Sequence, residues 1–281
     1  MSVYQEVLKH LDGVVERSEY ASALCVYHND THASLMVYKD GFYCLSCGAR
    51  GSLQKLLNKV RGNVPTRAPQ QQTHSILSLP KELDELEELC DNAHEMLESY
   101  HEPLAWYLKQ RKVDGRITAQ NLGYYNRWYS IPVYDRDGGF MGAVFRASPD
   151  VQQATNMRYY IPTSQPSLLY VPNWRRTLQA SYVVVVFGIL DALSLEELEI
   201  PACTPTHGML SLKPEMLSDF RVPILVLPDK GEEETGARLV SKLGWRGRLL
   251  FTTYPDNCKD TNDCLMSGNR QWIYDKIGGM K

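Results

Sequence analysis

The sequence predicts an α/β protein (α+β taken over its whole length): a small N-terminal unit, a tether, and a larger core built on a mostly parallel sheet. Three observations carry that expectation. Strand-like apolar runs alternate with helical patterns through the C-terminal part of the chain. Near the N-terminus, two close-set pairs of cysteine or histidine residues flank a hairpin-like stretch. Between these regions, residues 62–75, GNVPTRAPQQQTHS, are rich in Pro and Gln and poor in large apolar side chains, the composition of a flexible linker.

The elements follow in order. Val3 to Val15 reads as an amphipathic helix, with Val7, Leu8, Leu11, Val14 and Val15 at helical spacing. Leu35–Val37 and Gly41–Cys44 read as strands around an Asp40–Gly41 turn. Ser52 to Val60 reads as a short helix. Beyond the linker, helical patterns cover Glu82–Tyr100, Glu102–Gln110 and Arg116–Asn121, and residues 129–147 alternate as strands around Asp135–Gly139. The strand Tyr182–Val186 precedes a helix Asp191–Leu198, and the strand Pro223–Leu227 precedes a helix Glu234–Leu243. A strand Arg248–Thr253 and a helix Gln271–Ile277 end the chain. Strands alternating with helices of this length imply a parallel sheet.

Composition sets bounds on function. The 281 residues are 43% hydrophobic and 22% charged, as in an ordinary globular protein. The most apolar stretch, Val183–Leu195, is broken by Gly188 and Asp191 and is too short for a membrane span. The first twenty residues lack an apolar signal core, so a cytoplasmic protein without a membrane partner is expected. Seven cysteines do not suit a disulfide framework; Cys90, Cys203, Cys258 and Cys264 read as buried thiols. The net charge of −3 hides an asymmetry: residues 81–103 hold nine acids and one lysine, whereas residues 104–186 hold ten Lys/Arg against four Asp/Glu. The basic stretch is crowded with aromatics, among them Trp106, Tyr107, Tyr124, Trp128, Tyr159 and Trp174. Cations for phosphates beside flat rings for bases suit single-stranded nucleic acid; a solvated basic face over an aromatic core is the competing reading.

Cys25-x2-His28, fifteen intervening residues, then Cys44-x2-Cys47 is the spacing of a tetrahedral structural zinc site. His32 is an alternative to His28, though the spacing favours His28. So small a unit has little core, and metal binding would supply part of its folding free energy.

The stretch CVYHNDTHASLMVYKDGFYCLSCGARGSLQKLL resembles the zinc ribbon of bacterial and phage DNA primases, where C-P-x-H is followed by E-x-x-P-S-F, then F-x-C-x-x-C-G-x-x-G and an apolar helix. All four ligands match, as do Ser34, Phe42, Gly48 and Gly51; Val26 replaces the Pro after the first Cys, and the family's Glu and second Pro are lost. AWYLKQRKVDGRITAQNLGYY, IPVYDRDGGFMGAVFRA and MRYYIPTSQPSLLYVPN resemble core segments of the same family, which implies phosphate contacts for Arg146 and Arg158 and, more weakly, for Arg111 and Lys112. Residues 182–265 are similar to the Toprim fold, with landmarks VVVVFGILDALSL, ILVLPDKGEEETGARLV and YPDNCKDTNDCL. The family's first strand ends in Glu-Gly; here it ends in Phe187-Gly188. Its second motif, Asp-x-Asp-x-x-Gly, keeps Asp229 but has Gly231 at the second Asp. Glu232, Glu233 and Glu234 follow, as substitute carboxylates or as ordinary charge complements of a helix start. The third motif keeps Lys259, Asp260 and Asn262, and Asp191 is retained after the first strand.

The resemblance thus implies a zinc-ribbon domain at 1–62, a linker at 63–78, the N-terminal part of a primase core at 79–179 and a Toprim-like domain with a C-terminal helix at 180–281. It implies primer synthesis on a single-stranded DNA template from ribonucleoside triphosphates, with structural zinc and catalytic magnesium or manganese on Asp229 and Asp260, assisted by one of the three Glu, and with Lys259 near the phosphates. The sequence contains no Walker A pattern, so a separate replicative helicase is an expected partner. The compact form suggests a phage or mobile-element replisome. Two alternatives stand beside this reading: a silenced homologue kept for DNA binding or replisome docking, and a Toprim nuclease, which the zinc ribbon disfavours.

Overall fold

The structure, a computed structural model, describes residues 2–17, 20–27, 30, 33–44, 49–61, 77, 79–100, 104–162, 164–250 and 253–278. The chain forms two compact units: Met1–Ser78 with Asn126–Trp128 and Ala147–Arg158, and Leu79–Tyr125 with Tyr129–Arg146 and Tyr159–Lys281.

The first unit holds a sheet with its strands in sequence order, β1 (Val15–Glu16), β2 (Tyr20–Ala23), β3 (Leu35–Tyr38), β4 (Phe42–Cys44) and β5 (Arg50–Gly51), every pairing antiparallel. Helices α1 (Val3–Leu8) and α2 (Leu53–Val60) carry serine N-caps, Ser2 and Ser52. On α2, Leu53, Leu56 and Leu57 are buried, the one-sided stripe of an amphipathic helix. They join Val7, Leu8, Ala21, Leu35, Val37 and Phe42 in one core. The helix expected over Val3–Val15 stops at Leu8. Gly13 adopts φ +65°, and the Asp12 carbonyl accepts from Leu24 N at 2.8 Å. That turn sends Val15 into β1 opposite Ser22, so the apolar residues after Leu11 belong to a turn and a strand. The expected Asp40–Gly41 hairpin is present between β3 and β4.

In the second unit α3 (Leu83–Ser99) buries Leu86, Cys90, Ala93 and Leu97 along one face and leaves most of the acidic run in solvent. It packs on β6 (Gly123–Tyr125) so closely that a Cβ at Gly123 would lie 2.6 Å from the backbone of Ala93 and His94. α4 (Trp106–Gln110) follows. The helix expected at Arg116–Asn121 is instead two single turns of 3-10 helix, Asp114–Arg116 and Thr118–Gln120, ended by Asn121 at φ +48°. β6, β7 (Trp128–Tyr134), β8 (Phe140–Ala147) and β9 (Tyr159–Tyr160) form a four-stranded sheet. Asp135 Oδ1 accepts from the amides of Asp137 and Gly139 and closes the β7–β8 turn. Helix α5 (Pro149–Thr155) lies between β8 and β9 in sequence.

The last sheet has the order β10 (Leu169–Tyr170), β12 (Ala202–Pro205), β11 (Val183–Val185), β13 (Ile224–Val226), β14 (Gly247–Leu249). β12, β11, β13 and β14 run parallel and β10 antiparallel. α6 (Trp174–Gln179) precedes β11. α7 (Ile189–Glu197) follows it, with nearly every residue buried, as expected for a helix that is apolar around most of its circumference. α8 (Glu233–Leu243) links β13 to β14, and α9 (Thr261–Met266) and α10 (Arg270–Gly278) close the chain. The strand expected at Arg248–Thr253 is shorter, and residues 251–252 lie outside the described residues. Among the described residues no helix is long and apolar enough to cross a membrane.

Candidate active site

In a parallel sheet, side chains that follow the carboxyl ends of neighbouring strands share one edge, and ligands bind there. Phe187 and Gly188 follow β11, Asp229 follows β13, and Asp191 sits in the first turn of α7. Gly188 is required for this packing: a Cβ there would lie 2.5 Å from Asp191 Oδ2. Phe187 is half-buried and packs against the core of the sheet, so this strand end offers a phenyl ring and no oxygen.

The second and third acidic loops are tied together. Lys230 N donates to the Lys259 carbonyl at 2.7 Å, and the buried Tyr254 hydroxyl donates to Pro228 O at 2.8 Å. Asp260 caps α9 by accepting from Asp263 N. Asp191 Oδ1 accepts from Asn262 N at 2.8 Å. Burial, then Asp260 and Asp229, push the Asp191 carboxyl well above the usual range. Asp229 is pushed up to about 7, first by burial and then by Asp260 and Glu232, with Lys259 opposing. Asp260 is raised by burial and by the Asp263 carboxylate, and is held back first by the hydrogen bond from Asp263 N and then by Lys259 and Arg111. Carboxylates that burial and one another push toward protonation are poised for a cation.

The three consecutive glutamates separate by role. The Glu232 carboxylate contributes to raising Asp229. Glu233 accepts from Gly231 N at 3.0 Å, and that hydrogen bond holds its carboxyl below the usual range. Glu234 pairs with Arg238 at 2.6 Å. The last two are therefore engaged in the local geometry of the helix start, with Gly231 at φ +90° making the turn. Among the described residues no group of three or more His, Cys, Asp or Glu side chains is assembled as a metal cage. A magnesium site does not require one: that ion is commonly held by one or two carboxylates, with substrate phosphates and water completing the shell. Asp229 and Asp260, hard oxygen donors on adjoining loops, fit that requirement.

Of the expected cations, Lys259 and Arg111 act on the Asp260 carboxyl. Arg146 is buried, donates from Nε to the Tyr107 hydroxyl at 3.0 Å, and is flanked by the rings of Tyr107 and Tyr159 at 5.7 and 4.8 Å. Burial raises the Tyr159 hydroxyl to about 12, so it is protonated at neutral pH. Arg111 donates to Asn262 Oδ1 at 3.1 Å and to Met266 Sδ, and lies 4.0 Å from Asp263. Asn262 Nδ2 returns two bonds, to Arg111 O and Ser194 Oγ. Arg111 is thus committed within the protein to a degree the sequence did not signal. Lys112 and Lys259 are exposed. Arg158 is exposed in the other compact unit, where its carbonyl accepts from Ala147 N. The Asn262 clamp and the tyrosines around Arg146 escaped sequence reasoning, because their partners are remote in the chain.

Of the four expected zinc ligands, His28 and Cys47 lie outside the described residues. Cys25 and Cys44 are buried at one end of the first sheet, joined through two polar side chains. Asp30 Oδ2 accepts from Cys25 N at 2.9 Å and from Ser34 Oγ at 2.6 Å, and Ser34 Oγ lies 3.4 Å from Cys44 Sγ. Tyr27 N donates to Cys25 Sγ at 3.4 Å.

No protein-family model matches the chain, and no curated protein sequence matches it. Solved structures do: the chain has the fold of DNA primases. The Aquifex aeolicus primase, described as its zinc-binding and RNA polymerase domains, superposes at TM-score 0.58 and 16% identity over 99% of this chain and 85% of that one. The RNA polymerase domain of Mycobacterium tuberculosis primase DnaG gives 0.56 at 14% identity, over 70% and 82%. A DnaG primase catalytic domain bound to single-stranded DNA gives 0.54 at 14%, over 69% and 77%. At these identities the likeness establishes the fold.

Proposed function

We propose that this protein is a DNA primase, which joins ribonucleoside triphosphates into short RNA primers on a single-stranded DNA template. The observation that carries the reading is the cluster of Asp191, Asp229 and Asp260 on adjoining loops of the parallel sheet, mutually destabilised as anions, with Lys259 and Arg111 beside them. The primase-type fold supports the same reading. Magnesium or manganese on Asp229 and Asp260 would supply charge neutralisation for a triphosphate and acidify an attacking 3′ hydroxyl. Lys259 offers a phosphate contact at the edge of the site. Asn262 holds Asp191 and fixes the distance between the first and third loops. Arg146, on β8 within the basic aromatic stretch, is held by Tyr107 and Tyr159 and offers a phosphate contact there. Zinc on Cys25, His28, Cys44 and Cys47 would be structural, the Toprim identity of the parallel sheet belongs to the same proposal, and a separate helicase in a phage or mobile-element replisome is the expected setting.

The test is primer synthesis on a mixed-sequence single-stranded template with magnesium and then manganese. Short RNA products from wild type that vanish in Asp229→Ala support the reading; no products from wild type with either metal overturns it.

One observation favours a second reading, a silenced homologue kept for binding: Phe187 leaves the end of β11 without a carboxylate. Under that reading wild type binds template but makes no primer, and Phe187→Glu restores synthesis.

A further inference from the structure

α8 carries the chain from the carboxyl edge of the parallel sheet back to its amino edge. Its eleven residues span about 16 Å at 1.5 Å per residue. It ends at Gly244, with φ +60°, and the next residue is Trp245, 77% exposed. Asp229 follows β13, whereas Trp245 precedes β14, so the indole stands at the opposite edge of the sheet from the acids.

Along the chain its charged neighbours are cations. Residues 235–250 contain Arg238, Lys242, Arg246 and Arg248 and no acid. Arg238 is offset by Glu234. Lys242 is exposed one helical turn before the indole. Arg248 is exposed on the edge strand β14, and its Nη1 donates to Trp245 O at 3.0 Å. Arg246 donates to Phe220 O at 2.7 Å, next to the exposed Arg221. The neighbouring acid Asp219 pairs with Arg136 at 3.0 Å.

We propose that Trp245, with Lys242, Arg246 and Arg248, is a second contact for single-stranded nucleic acid, remote from the acidic site. A protein-docking tryptophan sits within an apolar patch; here Leu243, Gly247 and Leu250 are buried, and the exposed residues beside it in sequence, Ser241, Lys242, Gly244 and Arg248, are polar, small or cationic. A flat exposed ring among cations offers stacking for a base and charge for its phosphates. Only the class of partner rests on the primase reading.

Fluorescence anisotropy of a labelled oligothymidylate with the full chain tests this, Trp245 being exposed enough for Trp245→Ala to fold. Trp245→Ala should weaken binding about tenfold. Lys242→Gln should lower the slope of log affinity against log salt by about one. Equal affinity in wild type and Trp245→Ala overturns the site. So does a loss in Trp245→Ala confined to a labelled polyglutamate, which would assign the surface to an acidic protein. Primer synthesis on the same preparations separates the two claims: Trp245-dependent binding without primers removes the primase reading alone, and primers with Trp245-independent binding remove this one alone.

Discussion

The backbone amide of Asn262 donates to Asp191 Oδ1 at 2.8 Å across 71 residues of sequence. The Asn262 side chain also bonds Ser194 and Arg111. One buried residue thereby joins α9, α7 and the end of α4. Removing its amide leaves buried partners unsatisfied. Asn262→Ala should lower stability by about 2–3 kcal/mol, read by urea denaturation, and should abolish primer synthesis even under conditions where the variant stays folded.

Burial, and after it the Asp260 and Glu232 carboxylates, push Asp229 up to about 7 in the folded chain, against 3.8 ordinarily. The folded state therefore binds this proton more tightly than the unfolded chain does. Its contribution is present at low pH and is lost as pH rises through about 7. In chelator-treated protein, stability should fall between about pH 4 and pH 7, and Asp229→Asn should flatten that fall, by on the order of 2 kcal/mol. Thermal melts across pH check this, and magnesium should reverse the loss in wild type only.

Phe187→Glu places a fourth carboxylate near Asp191, Asp229 and Asp260. Without divalent metal the variant should melt below wild type. With magnesium it should recover more than wild type does. A magnesium-independent melting temperature in the variant would remove Phe187 from the cation site.

Arg146 lies between two tyrosine rings with a bond to one hydroxyl. Lysine keeps the charge but cannot match the planar stacking. Arg146→Lys should lower stability by about 1–2 kcal/mol, measured by urea denaturation, and weaken oligothymidylate binding.

Purified protein should carry one zinc per chain by elemental analysis, and Cys44→Ser should lose it. Because the metal's binding free energy is folding free energy in so small a unit, strong chelators should expose the first unit to proteolysis before the second.

Much of the second unit was legible. The alternation of apolar runs with helical patterns located β11, β13, α7 and α8 because those strands are buried and bounded by turns. Asp229 and Asp260 could be named because the short motifs around them resemble those of a known family; the structure places them after β13 and at the N-cap of α9. β10 and β12 were missed: Leu169–Tyr170 is too short to show a period, and Ala202–Pro205 contains Pro and lies against its neighbours through tertiary contacts alone. The pairing of Arg111 with Asn262 spans 151 residues, and no local pattern encodes it. α1 was overextended because a turn and a strand continued its apolar spacing, with only Gly13 marking the break.

The central strand β11 has a consequence for synthesis of the chain. Val183–Val186 is wholly buried, yet both strands that flank it come later in sequence, at Ala202–Pro205 and Ile224–Val226. On the ribosome, four consecutive valines emerge with two open edges; the strand that covers one edge begins 16 residues after Val186, at Ala202, and the strand that covers the other begins 38 residues after it, at Ile224. Runs of this kind are prone to intermolecular pairing. Recovery of soluble protein should therefore depend on translation rate and chaperone supply over residues 183–226 more than on the stability of the finished fold.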